Sequence, residues 1–330
     1  MFGKTAAKKT IVFCLMMITS LSVLLSGCWD NIIILEEETP DIPEPDTISI
    51  VAASFAPFDF CRRIAGEKAE VDILIGPGED SHSYVPTAED LKKIKSADIF
   101  IYTGCEEWID DSPVTPDDPS KITVDISSLA ELLENIPPAG MDEAFETDDK
   151  AIRHEKFDKH VWTSIDNAQI ICQEIADVLC DIDEENSEYY RGNCEVFLSE
   201  LSALKRSIRR TVSSAQRKTL IMTGRYSMRY FAEEFGLEVY AAYPDCTAPY
   251  GTYPRAVEFL EDKTVHENIP VVFYDENGDD ETAKKITDGT GKKTVKFYSC
   301  HNISMEDYIN NVTYIELMTR NAQALETALN

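Results

Sequence analysis

Residues 71–102 read VDILIGPGEDSHSYVPTAEDLKKIKSADIFIY, and the way this stretch divides decides the fold. Residues 71–75 are a short apolar run closed by Gly76-Pro77-Gly78, the pattern of a strand that ends in a turn. Residues 88–95 have helical spacing, and residues 97–102 are again a compact apolar run. Upstream, residues 47–53 read as a buried strand rich in β-branched side chains, and residues 58–65 as a helix that stops at Gly66, a natural C-cap. Strand, helix, strand, helix, strand at this rhythm means a parallel sheet with helices on its faces.

The rhythm recurs further on. Residues 219–223, 238–242, 270–274 and 294–299 read as strands, and residues 227–235, 253–267 and 282–287 as the helices between them, with a last helix over 305–329. Between the two halves lies the strongest helical signal. Cys194, Phe197, Leu201, Leu204, Ile208 and Val212 are spaced by threes and fours within 184–213, opposite a charged face. A helix of that length spans roughly 40 Å at about 1.5 Å per residue, more than one lobe needs. The expected fold is therefore α/β: two lobes, each with a mainly parallel sheet flanked by helices, joined by one long rigid backbone helix. The lobes are expected over 47–183 and 214–330. Residues 110–158 are irregular and acidic, broken by five prolines, with one strand candidate at 122–126.

The N-terminus carries three lysines, an apolar stretch over 11–25, and then Leu25-Ser26-Gly27-Cys28. Residues 1–27 read as a secretory signal, too short for a convincing membrane span. Its end resembles a bacterial lipobox, which would make Cys28 the lipidated first residue of the mature chain and the anchor to the membrane. Residues 28–46, acidic and containing proline, read as a tether. The formal net charge is −29, which repels nucleic acid and anionic lipid surfaces and suits a cation, although solubility alone would account for it. Beyond Cys14 and Cys28, cysteines stand at 61, 105, 172, 180, 194, 246 and 300, an odd number that leaves at least one thiol unpaired within a monomer. With no CxxC, no HExxH and no nucleophile beside an obvious base, an enzyme is not expected.

His82 follows a strand, and His160 lies just ahead of a helix that starts near Ser164. In α/β sheets the loops at the carboxyl ends of strands are where ligands bind. Two loop imidazoles in acidic surroundings suit a divalent metal. On residue types alone a loop histidine is more often a solvated residue than a ligand.

The run of residues 71–104 resembles the solute-binding lipoprotein family of zinc- and manganese-type ABC transporters, whose pattern is a strand, a Pro-Gly turn, Asp-Pro-His-x-Tyr-x-Pro-Thr and a helix. "DKHVWTSIDNA" (158–168) is similar to that family's Asp-Pro-His-Val-Trp-Leu-Ser-Pro-x-Asn-Ala. The likeness extends from about Ile48 to the end of the chain. It implies capture of Zn²⁺, or alternatively Mn²⁺, between the lobes, and delivery to a membrane permease by an anchored monomer. It also implies that His82 and His160 are metal ligands. Two C-terminal positions depart from the pattern. Arg225 falls where the family has a histidine or glutamate ligand, and a guanidinium cannot coordinate metal. The family's aspartate after the last strand is replaced by Ser299-Cys300-His301, with His301 the first choice of ligand and Cys300 the second. Arg225 would pair with Asp245 or Asp275, or bind an anion; Cys246 and Asp275 are further cleft candidates. Trp108 and Trp162 are assigned to packing between lobes, and His154 and His266 to the surface. The alternative function is a degenerate member that binds a metal chelate, an organic anion or an adhesion partner through the same cleft.

Overall fold

The computed structural model describes residues 47–109, 121–146, 155–276, 278 and 280–330. The signal, the tether, Cys28 and His154 lie outside these residues.

Strand β1 (Ile48–Ala52) sits inside a four-stranded sheet of order β2-β1-β3-β4, with β2 at Ala69–Ile73, β3 at Ile99–Tyr102 and β4 at Ile122–Asp125. All its pairings are parallel. The inner strand β3 is buried along Ile99–Ile101, as a strand covered on both faces must be, whereas the edge strand β2 alternates exposed positions with buried or half-buried ones. Helix α1 (Phe55–Ala65) and helix α2 (Ala88–Ser96) supply the crossovers. Thr87 and Asp90 close a reciprocal capping box at the start of α2, which fixes where the chain leaves the His82 turn.

A two-residue ribbon, β5 (Leu133–Glu134) against β6 (Phe157–Asp158), was not legible in the sequence and carries the chain to His160. Helix α3 (Ile165–Ile182) starts at Ser164, whose side chain accepts from Asn167 N–H. Helix α4 then runs for 27 residues, Ser187–Ser213, and all six apolar positions expected of it are buried, together with Tyr190.

The second sheet has the order β10-β9-β7-β8, again all parallel, with β7 at Thr219–Arg225, β8 at Glu238–Tyr243, β9 at Val271–Tyr274 and β10 at Lys293–Lys296. Helices α5 (Arg229–Phe235), α6 (Pro254–His266) and α7 (Glu281–Thr287) connect its strands. The single terminal helix expected over 305–329 is instead two, α8 (Met305–Ile309) and α9 (Tyr314–Ala328). Asn311 adopts a left-handed φ of 53° and Thr313 opens a new capping box with Glu316, so local hydrogen bonding wins over apolar periodicity at the break.

The two halves share one core. Helix α4 packs on α1 and α3 from the first half and on α5 and α9 from the second. Phe60 meets Phe197 of α4 and Tyr314 of α9 edge-on, with centroids 5.7 and 5.0 Å apart. Buried Asp59 of α1 accepts from Tyr314 N–H at the start of α9 (2.8 Å).

Candidate metal centre

Three imidazoles converge at the carboxyl-terminal side of the strands. One ligand-capable atom from each of His82, His160 and His301 lies within 4.8 Å of the others. The ring centroids are 4.7 Å apart for His82 and His301, 5.2 Å for His160 and His301, and 5.7 Å for His82 and His160.

Each histidine is set by an oxygen two residues before it. His82 N–H donates to Asp80 Oδ1 (3.1 Å), His160 N–H to Asp158 Oδ1 (2.8 Å) and His301 N–H to Ser299 Oγ (3.1 Å). For His160 the same carboxylate oxygen also takes Nδ1 at 2.8 Å, leaving Nε2 as the ring atom free to coordinate. His160 Nε2, His301 Nε2 and His82 Nδ1 are all buried without a hydrogen-bond partner. Buried polar atoms are rarely left so, and three in one cluster point to an absent partner.

The loop that presents His301 is built from the inside. Buried Glu276 accepts from Ser299 N–H (2.9 Å) and Ser299 Oγ–H (2.5 Å), and Trp162 Nε1–H donates to the Ser299 carbonyl (2.9 Å). Cys300 takes a left-handed φ of 58°, which turns the chain. Its thiol is fully buried, kept protonated by that burial, and is not one of the converging atoms; His301 alone of the pair reaches them. The His301 loop is pinned to the His82 turn, since Gly78 N–H donates both to the Ile303 carbonyl (2.9 Å) and to Asn302 Oδ1 (3.1 Å).

Electrostatics separate the rings. Burial opposes a charge on His160, yet the Asp158 carboxylate beside it prevails and lifts its pKa to about 9. His301 is held well below the usual histidine range, first by burial and then by its neighbours His82, His160 and Arg225.

Arg225 lines the same cavity, but its partner is neither Asp245 nor Asp275. Its Nη1 spans the cleft to both oxygens of Asp80 at 3.1 Å, its Nε donates to the Ala248 carbonyl (3.3 Å), and its guanidinium stacks 4.6 Å over Tyr250. Asp245 is turned inward to cap Thr247 and Ala248, while Asp275 lines the cavity and accepts from the Tyr250 hydroxyl. Cys246 is buried beside the cleft next to Cys105 and His82, neighbours that hold its thiol well below the usual cysteine range. It too is not one of the converging atoms. All seven cysteines of the described residues are free. Trp162 packs against His160 and His301, whereas Trp108 packs on Tyr84 within the first half. His266 is exposed.

Residues 50–328 match the model of a family described as zinc-uptake complex component A, periplasmic. The chain is 27% identical over 293 residues to the high-affinity zinc uptake system protein ZnuA of Bacillus subtilis, covering 86% of this chain and 88% of that protein. It is 26% identical over 285 residues to the zinc-binding lipoprotein AdcA of Streptococcus pneumoniae; this covers 84% of the chain but 55% of AdcA, about half that relative's length. In fold it is similar to the crystal structure of the Zn(II)-bound ZnuA-like domain of Streptococcus pneumoniae AdcA, with a TM-score of 0.69 at 24% identity, covering 86% of this chain and 99% of that one.

Proposed function

The chain belongs to the zinc-uptake complex component A family, and we propose that it captures Zn²⁺ between its two lobes through His82, His160 and His301 and hands it to a membrane permease. It is a solute-binding protein, not an enzyme, and the metal is its cargo. The observation that carries the reading is the convergence of three imidazoles, two buried and one half-buried, each with a buried ring nitrogen that lacks a hydrogen-bond partner. Zinc binds imidazole nitrogen at about 2.0–2.1 Å, which small rotations from the present spacing would reach. A cluster of neutral nitrogens without a carboxylate favours zinc over manganese, which prefers oxygen. Asp158 orients His160 from behind, and the Glu276–Ser299 pair holds the turn that presents His301.

The same reading places the protein outside the cytoplasm, tethered as a monomer by a lipid on Cys28. No helix among the described residues is long and apolar enough to cross a membrane, so anchoring would fall to the N-terminus.

The test is a calorimetric titration of the full chain, purified in detergent and stripped of metal, with zinc and manganese run in parallel. One zinc should bind tightly and manganese more weakly. Structural zinc in small finger peptides is worth about 10–16 kcal/mol, and a comparable share per ligand means that losing one of three or four in His82→Ala or His160→Ala should weaken zinc roughly 100-fold or more. Unchanged affinity in both variants would remove the reading.

A further inference from the structure

The three histidines supply only neutral donors, and zinc is normally four-coordinate. The fourth donor is not evident among the described side chains, since no carboxylate or thiolate joins the three histidines within the converging group. Both Glu276 oxygens accept from Ser299 and both Asp80 oxygens face Arg225 Nη1; Asp275 Oδ2 takes the Tyr250 hydroxyl, while Asp275 Oδ1 is buried without a partner but stands outside the converging group. The cavity beside the histidines has a volume of about 130 Å³, well beyond the roughly 10–15 Å³ that a single water needs.

Arg225 lines that cavity with its side chain 14% exposed. Its Nη1 and Nε have acceptors, but Nη2 has none among the described residues. Asp80 offsets the charge of Arg225 on one side, and the unpartnered Nη2 is left to bind an anion lying between the guanidinium and the metal. Guanidinium groups recognise carboxylates through such charge-assisted hydrogen bonds.

We infer that the captured species is zinc together with a small carboxylate-type anion, which completes the coordination of the three histidines while Arg225 binds its far side. The inference rests on the zinc-capture reading and names the fourth ligand that reading leaves open. One anion oxygen coordinates the metal, another accepts from Arg225 Nη2, and no bond within the anion changes. The Asp80–Arg225 bridge then positions the guanidinium.

The probe is acetate. Zinc affinity of the metal-stripped full chain is measured by competition with a chromophoric chelator, in nitrate buffer with and without acetate, for the native chain, Arg225→Gln and Arg225→Lys. Cobalt(II) absorption is followed in the same solutions as a report on the metal's own ligands. Acetate should tighten zinc binding by roughly tenfold or more in the native chain, the worth of a charged hydrogen bond, and should change the cobalt spectrum. The gain should vanish in Arg225→Gln and survive in part in Arg225→Lys. Tight zinc binding indifferent to acetate would overturn the inference while leaving zinc capture standing. An equal gain in Arg225→Gln would overturn the role of Arg225. Failure to bind zinc with or without acetate would remove both this inference and the reading beneath it.

Discussion

All three converging histidines follow an oxygen-bearing residue at the second position before them: Asp80-x-His82, Asp158-x-His160 and Ser299-x-His301. Each oxygen accepts the histidine's own backbone N–H, a short-range turn that fixes where the ring leaves the chain. At Asp158 the contact extends to the ring, so Asp158→Asn should weaken zinc about 10–100-fold while the fold persists, measured by the same chelator competition. The pair also dictates a proton balance. With its pKa lifted to about 9, His160 carries a proton at neutral pH in the metal-free protein, whereas His301 does not. Coordination requires neutral imidazole, so on the proposed ligand set zinc displaces the His160 proton, and affinity should climb about tenfold per pH unit from pH 7 towards 9 and level off above. Titrations in buffers of different ionisation enthalpy should count that proton; a flat profile over this range would contradict the assignment. Cys300→Ser, by contrast, should leave zinc affinity unchanged, because its thiol is fully buried outside the converging group. His82 and His160 were legible from strand ends and motif, but the choice between Cys300 and His301 depended on a left-handed turn that alternation does not encode. Asp158 stood beside His160 in the sequence without a role until its two contacts were seen, and Asp80 was hidden because its partner lies 145 residues away.

At the level of elements, legibility followed the length and amphipathicity of each segment. Helix α4 declared itself through a stripe of apolar residues long enough to average out local preferences, and its buried positions match that stripe. The ribbon β5–β6 gave no such signal, since two residues per strand are too few to show a period. Between α8 and α9 the apolar spacing continues, but the Asn311 turn and the Thr313 cap interrupt it. These differences matter because α4 is the element both halves lean on. Leu201 is fully buried in the middle of its stripe, away from the metal cluster. Leu201→Ala should therefore cost about 2–5 kcal/mol, seen as a lower urea midpoint with an unchanged slope. Zinc affinity well below the new midpoint should match that of the native chain. A variant that lost zinc binding while still folded would show that α4 tunes the site instead of merely supporting it.

For the molecule as a whole, the decisive feature is that the halves do not meet only at a cleft. Their sheets are built alike, all parallel, and both present loops at the carboxyl ends of their strands, which is how His82, Arg225 and His301 reach one cavity. Behind that cavity a single apolar core runs through α1, α4 and α9, and buried polar contacts such as Asp59 to Tyr314 cross it. In front, Gly78 is bonded to Asn302 and Ile303. Opening the cleft as a wide hinge would expose that core and bend α4 against its own ladder of hydrogen bonds, both costly. Metal capture should therefore be carried by side-chain rotation and small shifts of the cleft loops, with the lobes held nearly fixed. Spin labels introduced at exposed Lys92 and Glu261, one in each half, provide the measurement. Their distance distribution should move by less than about 2 Å when zinc is added to the metal-free chain, the range of preorganised binding. A larger shift, or a second population that zinc depletes, would mean that the shared core yields more readily than its burial implies, and that a permease could tell loaded from unloaded protein by overall shape. With the lobes fixed, that distinction has to be made at the cleft itself, where the imidazoles and the Arg225–Asp80 bridge lie.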